Sequence, residues 1–229
     1  MGELVRFPVN GREGSGWLSV PASGSGPGVL VIQEWWGLVP HIRDVCDRFA
    51  EEGFTALAPD LFDGTTTTEP DEAGKLMMAL NVQEASKDLR GGIGYLLASD
   101  AVTSSGVGVV GFCMGGGLAL VVACNEPDTV VACAPFYGVI PWENAAPDYS
   151  RLRAPVRGHY ASEDGFFPPA MVRALEQELV EEHGADVQLK VHEGVDHAFF
   201  NDARPEVYDP AASATAWRET VAFLRGAVH

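Results

Sequence analysis

One cysteine in this chain stands where a nucleophile would be mounted. Cys113 lies within Gly111-Phe112-Cys113-Met114-Gly115-Gly116-Gly117. Small and β-branched residues, Gly106 to Val110, precede it, and the apolar stretch Leu118 to Ala123 follows. That order predicts a strand, a tight turn and a helix, with glycines at 111 and 115 where a Cβ would clash. A polar side chain at the middle of such a turn is a nucleophile elbow. A thiol attacks a carbonyl as its thiolate, yet with a pKa near ~8.5 a free thiol is mostly protonated at neutral pH. The positive end of a helix starting near Met114, and a nearby imidazolium, would both favour the thiolate. The other cysteines fall in a helical pattern (Cys46), at a helix end (Cys124) and in an apolar strand (Cys133). They read as small core hydrophobes.

An elbow of this kind is followed along the chain by an acid and then a histidine. The acid should close a strand after Cys113. Val156 to Tyr160 is such a strand, and Ala161-Ser162-Glu163-Asp164 is the loop behind it. Spacing leaves Asp164 and Glu163 both open. The histidine should follow the last strand, and His197 in Gly194-Val195-Asp196-His197-Ala198-Phe199 does so. His192 lies earlier, still on the strand; His159 precedes the acid, out of order; His41, His183 and His229 are expected at the surface. Asp164 would orient His197 and stabilise its charged form. A developing oxyanion needs two backbone donors, and the amides of Met114 and Trp35 are the candidates. Glu34 ends the apolar strand Gly28 to Glu34, inside Gln33-Glu34-Trp35-Trp36-Gly37. A carboxylate there is seldom buried without a partner.

These residues need a scaffold. Leu4 to Val9 and Gly16 to Val20 read as strands joined by the Gly-rich turn Gly11 to Gly14. Gly28 to Glu34, Phe54 to Ala58, Gly106 to Phe112, Val130 to Tyr137, Val156 to Tyr160 and Asp186 to His192 read as further strands. Between them, His41 to Glu52, Ala73 to Leu80, Val82 to Leu97 and Pro168 to His183 carry helical patterns, and Asp209 to Val228 forms a last helix. Gly64 to Asp71 is a polar loop. Alternating strands and helices predict an α/β class, with a mostly parallel sheet covered on both faces. No linker divides the chain, so residues 1–229 are expected to form one domain.

Composition narrows the function. The 229 residues, 46% hydrophobic, can bury a large core. No apolar run reaches membrane-spanning length, and Met1 to Asn10 lacks the apolar core of a signal peptide. The net charge of −17 repels nucleic acid and anionic membranes. Four cysteines without a secretion signal point to free thiols in a reducing cytoplasm. The expected partner is a small molecule. No metal is expected, and the protein should be a monomer or a weak homo-oligomer.

At this point the chain resembles the dienelactone hydrolase (carboxymethylenebutenolidase) family of the α/β-hydrolase superfamily. The matching pieces are Gln33 to Gly37, Ala58-Pro59-Asp60-Leu61-Phe62, Gly111 to Gly117, Phe136-Tyr137-Gly138 and His197-Ala198-Phe199. The resemblance implies an α/β-hydrolase fold and a Cys113–His197–Asp164 triad, favouring Asp164 over Glu163. It gives Glu34 a part in forming the thiolate when substrate arrives. It implies hydrolysis of an enol-lactone through an acyl-thioester, without a cofactor. Trp36, Tyr137, Phe199 and Arg204 are the candidate substrate contacts. One departure stands out. The family holds its substrate carboxylate with arginines, one in the stretch corresponding to the Gly64–Asp71 loop and one a few residues after the catalytic histidine. This loop has no Arg or Lys, and the second stretch reads Phe200-Asn201-Asp202. Arg204 is the nearest cation there. A carboxylesterase or thioesterase for neutral acyl substrates is therefore the alternative within enzymes, and a non-catalytic small-molecule binder is the alternative outside them.

Overall fold

The computed structural model describes residues 2–9, 11–140 and 145–229; Met1 and Asn10, the ends of the N-terminal segment considered above, lie outside it. Eight strands form one sheet. They are β1 (Glu3–Val9), β2 (Arg12–Ser19), β3 (Gly26–Ile32), β4 (Thr55–Pro59), β5 (Val102–Phe112), β6 (Val130–Phe136), β7 (Val156–Ala161) and β8 (Val187–His192). Their order across the sheet is β1-β2-β4-β3-β5-β6-β7-β8. β1 and β2 pair antiparallel, as do β2 and β4, and every other pair is parallel. The helices are α1 (Pro40–Glu51), α2 (Pro70–Ala79), α3 (Val82–Leu97), α4 (Met114–Asn125), α5 (Pro169–Gln177) and α6 (Pro210–Ala227). The sheet is mostly parallel and covered on both faces, and the fold is that of the α/β-hydrolases.

The pleat of β3 shows why both faces must be covered. Val29 and Val31 join one apolar cluster, with α1 and α6; Leu30 and Ile32 join the other, with α3, α4 and α5. Alternate side chains point to opposite faces, so an unbroken apolar run leaves no face for water. α4 is buried from Met114 through Cys124, which matches its unbroken apolar sequence. α1 is amphipathic, with Ile42, Val45, Cys46, Phe49 and Ala50 inward.

Several boundaries differ from the sequence pattern. β2 begins at Arg12, because the hairpin register pairs Val9 with Arg12 and draws Gly14 of the expected turn into the strand, leaving Gly11 in the turn. β5 begins at Val102. The Ser104 hydroxyl accepts from the Gly28 amide at 2.9 Å and donates to the Gly106 carbonyl at 2.7 Å, carrying the strand across an irregularity. α2 starts at Pro70, with Pro in the first turn and Asp71 and Glu72 suited to the helix dipole. The expected helix over 168–183 is α5 followed by a π-helical stretch, Glu178–Glu182.

β3 leads through α1 to β4 on one side, whereas β5 lies on the other. Such a reversal opens a crevice at the strands' C-terminal ends, where open α/β sheets bind ligands. Glu34 follows β3 and Cys113 follows β5, side by side at that crevice.

Candidate active site

Cys113 occupies the capping position of α4 with φ 54° and ψ −119°. That is a strained conformation for a residue with a Cβ, of a kind that costs about 1–3 kcal/mol and clusters at functional sites. Its backbone is pinned: the amide donates to Phe136 O at 3.0 Å, and the carbonyl accepts from the Gly116 amide at 2.9 Å. The flanking glycines are a matter of space. A Cβ on Gly111 would lie 1.9 Å from Gly115 O, and one on Gly115 would lie 2.4 Å from Ile32 O.

Asp164, in the loop after β7, is buried. Its Oδ1 accepts from the amides of Phe166 and Phe167 at 2.8 and 2.9 Å, and its Oδ2 meets His197 Nδ1 at 2.8 Å. Burial alone would raise this carboxyl, but these hydrogen bonds and the imidazolium outweigh it, and its pKa is lowered. Glu163 is exposed and, among the described residues, accepts only from Ser162 Oγ at 3.1 Å. The acid and histidine loops are stitched together: Ser162 N donates to His192 O at 3.0 Å, Glu163 N to Val195 O at 3.0 Å, and Gly194 N to Ser162 Oγ at 2.8 Å.

His197 lies between Asp164 and Cys113. Burial disfavours its charge, but the Asp164 carboxylate, met at 2.8 Å, and the neighbouring Cys113 outweigh it and raise the His197 pKa to about 10. The other three cysteines contrast with Cys113, which is part-exposed. Burial, reinforced by Asp47, pushes the Cys46 thiol up; burial takes Cys124 to about 12 and Cys133 higher still.

Glu34 is buried at 1% exposure. Its Oε1 accepts from Tyr137 Oη at 3.3 Å and its Oε2 from Asn201 Nδ2 at 2.6 Å. The amides of Trp35 and Met114 have no hydrogen-bond partner among the described residues. Glu34, Cys113 and His197 line one cavity of about 550 Å³. Its walls are mostly apolar, with Trp35, Trp36, Met77, Phe166 and Met171 among them, and Arg204 is the one Arg or Lys among its described lining residues. The Arg204 guanidinium lies 5.5 Å from the Trp36 ring centroid, and its Nε donates to Glu206 at 2.8 Å. Among the described residues no cluster of His, Cys, Asp or Glu is arranged to hold a metal, and no helix is long and apolar enough to cross a membrane.

Three expectations change. Tyr137 and Phe199, expected beside the substrate, are fully buried and do not line the cavity; they pack on each other at 5.5 Å. His41, expected at the surface, is buried: it lies on the inner face of α1 between Phe112 and Phe200, and its Nδ1 meets Asp202 Oδ1 at 2.9 Å. Asn201 was noted only as a missing arginine; its donor to Glu34 makes it part of the site. The apolar contributions of Met77, Phe166 and Met171 carry no motif at all.

This fold, with a cysteine elbow facing a His–Asp pair, defines an α/β-hydrolase. The dienelactone hydrolase family model matches residues 15–228, and the chain belongs to that family. It is 38% identical over 231 residues to Protein usf of Aquifex pyrophilus, and 36% identical over 233 residues to an Aquifex aeolicus protein provisionally named carboxymethylenebutenolidase. Each of these alignments covers 98% of both chains. A Klebsiella pneumoniae structure provisionally named dienelactone hydrolase superposes with a TM-score of 0.88 at 26% identity, covering 98% of each chain. The protein is a dienelactone hydrolase-type hydrolase, acting on esters or lactones.

Proposed function

We propose that this hydrolase works through Cys113, cleaving a lactone or ester by way of an acyl-thioester. The observation that carries the reading is His197, held between Asp164 and Cys113 at the head of α4. An imidazole kept charged has no lone pair to take the thiol proton. Glu34, on the same cavity, supplies a second base. A carboxylate beside a thiolate would repel it, so Glu34 acts by accepting the proton as substrate arrives.

The steps then balance. The thiol proton passes to Glu34 and the sulfur adds to the carbonyl carbon. The amides of Trp35 and Met114 stabilise the oxyanion. The carbon–oxygen bond breaks as the His197 imidazolium gives its proton to the leaving oxygen. Neutral His197 then takes a proton from water, whose oxygen attacks the thioester. The carbon–sulfur bond breaks, Glu34 returns its proton to the sulfur, and the acid product leaves. No cofactor enters these steps.

A second reading rests on the cavity wall. Away from Glu34 and His197 it is apolar, with half-buried Arg204 the one Arg or Lys among its described residues, which suits an ester whose acyl group is neutral.

The test is a panel of lactones, neutral esters and carboxylated esters on wild type and Cys113→Ala, with mass spectrometry of the quenched enzyme. The expected result is turnover by wild type, a loss of several orders of magnitude in the variant, and an acyl adduct on Cys113. Turnover that survives Cys113→Ala would overturn the mechanism. Ligand binding with no turnover on any substrate would leave a binding protein.

A further inference from the structure

We propose that Asn201 is the positioning residue of Glu34: its amide holds the carboxylate and sets how readily it takes a proton. The inference rests on the reading of Glu34 as a base.

The geometry is built for this contact. Asn201 Nδ2 donates to Glu34 Oε2 at 2.6 Å, much closer than the 3.3 Å contact from Tyr137 Oη. The amide cannot turn over, because its Oδ1 already accepts from the Ala203 N–H at 3.1 Å. The backbone is fixed too: Asn201 N donates to Ala198 O at 2.9 Å, and Arg204 N donates to Asn201 O at 3.0 Å. Ala198 has φ 65°, a left-handed turn placed directly after His197. One strained turn thus seats both the histidine and the amide.

The chemistry follows from the type of donor. A buried carboxylate needs partners. A guanidinium in contact would hold it ionised and poor as a base. Two neutral donors stabilise the anion enough to keep it buried, yet leave it able to accept a proton. The titratable and charged groups around Glu34 are Tyr137 from the end of β6, Cys113 and His197 on the cavity, Arg204 at its mouth, and the His41–Asp202 pair beside Asn201. Arg204 is turned to Trp36 and Glu206. The shortest contact on Glu34 is therefore the amide of Asn201, and that contact controls it.

The experiment compares kcat/KM against pH for wild type, Glu34→Gln, Asn201→Asp and the double variant on one ester, with Tm measured for each. An Asp at 201 still accepts the Ala203 N–H, so the turn survives, but it turns an acceptor toward Glu34. Two carboxylates at that distance share one proton. The acid limb of Asn201→Asp should rise by about one pH unit or more, a tenfold or larger loss at low pH that recovers toward wild type at high pH. In the Glu34→Gln background the shift should vanish. A limb that overlays wild type, or a loss equal at every pH, overturns the inference. If Glu34→Gln loses turnover while Asn201→Asp tracks wild type, only the inference falls; if Glu34→Gln itself matches wild type, the reading of Glu34 falls and takes the inference with it. Should Asn201→Asp fail to fold, Asn201→Leu removes the donor at similar volume. Its acid limb should move the same way by less, and an unmoved limb overturns the inference equally.

Discussion

Two histidine sites lie at the same end of the sheet and behave in opposite ways. At the cavity, His197 faces Asp164 and Cys113 and is held charged. Behind it, His159 on β7 and His192 at the end of β8 face each other, Nδ1 to Nε2 at 3.0 Å. Their rings pack against Phe136 at 4.9 Å and Phe199 at 5.0 Å. Burial lowers His159 to about 3, with the charges of His192 and Lys190 adding to the effect; burial and Lys190 lower His192, partly opposed by Glu219 and Asp209. In this pair one ring donates and the other accepts, and burial keeps both neutral at pH 7. His159 and His192 are buried and His197 is only slightly exposed, so burial alone does not separate the sites. The buried carboxylate of Asp164 does. An imidazole there can pass protons at neutral pH, and the pair behind can only fill space and hydrogen-bond.

The comparison breaks most severely if Asp164 loses its charge. Asp164→Asn keeps the shape and can still accept from Phe166 and Phe167, but leaves His197 in surroundings like those of His159. The pKa of His197 should fall, and kcat should drop by up to roughly 10⁴-fold, as when an orienting acid is neutralised elsewhere. Glu163→Gln should change rate by less than about threefold, as exposed substitutions do. Steady-state kinetics of both variants decide the matter: a larger loss from Glu163→Gln would move the acid to that residue.

The neutral pair should show in stability against pH. Its folded pKa values lie below the unfolded value near 6.5. Between about 6.5 and about 3 the unfolded chain therefore binds protons that the folded chain excludes, and stability falls as pH falls through that window. His197 has the opposite sign. Its folded pKa is raised to about 10, so its contribution is complete below about 6.5 and is lost as pH rises toward 10. Replacing His159 and His192 together by Gln should flatten the acid-side decline by a few kcal/mol at most. Urea midpoints from pH 7 to 4 measure this, and parallel curves for variant and wild type would refute it.

What the sequence made legible follows the same division. The elbow could be read because glycine, cysteine and strand residues must occur in that order for the turn to exist. The parallel core could be read because β3 and the later part of β5, Gly106 to Phe112, are apolar without interruption. Chain order singled out His197 from His159 and His192, since residue type alone does not. His41 could not be placed, because its burial depends on Asp202, far along the chain. Nor could Tyr137 and Phe199 be separated from Trp36, since the side of a loop on which a ring falls is fixed by what packs behind it. Asn201 was visible only as a departure from the resemblance, and its meaning needed Glu34 in space.

The smallest effect expected concerns Arg204 at the mouth of the cavity. Arg204 is half-buried, stacked over Trp36, and already shares its Nε with Glu206. A guanidinium this open to water is screened, and its attraction for a substrate carboxylate is worth about 1 kcal/mol or less. It also lies outside the Cys113–His197–Asp164 line, so it should bind ground state and transition state alike. Arg204→Gln should therefore raise KM for a carboxylated ester by about fivefold or less and leave kcat near wild type. For a matched neutral ester both constants should stay unchanged. The two substrates must be compared on the same variant, because loss of the Trp36 stack would raise KM for both. A KM that rises only for the carboxylated ester gives Arg204 a carboxylate to hold. A KM that rises equally for both reduces it to a prop for Trp36, and leaves Asp164 as the one charge on which the contrast between the histidine sites depends.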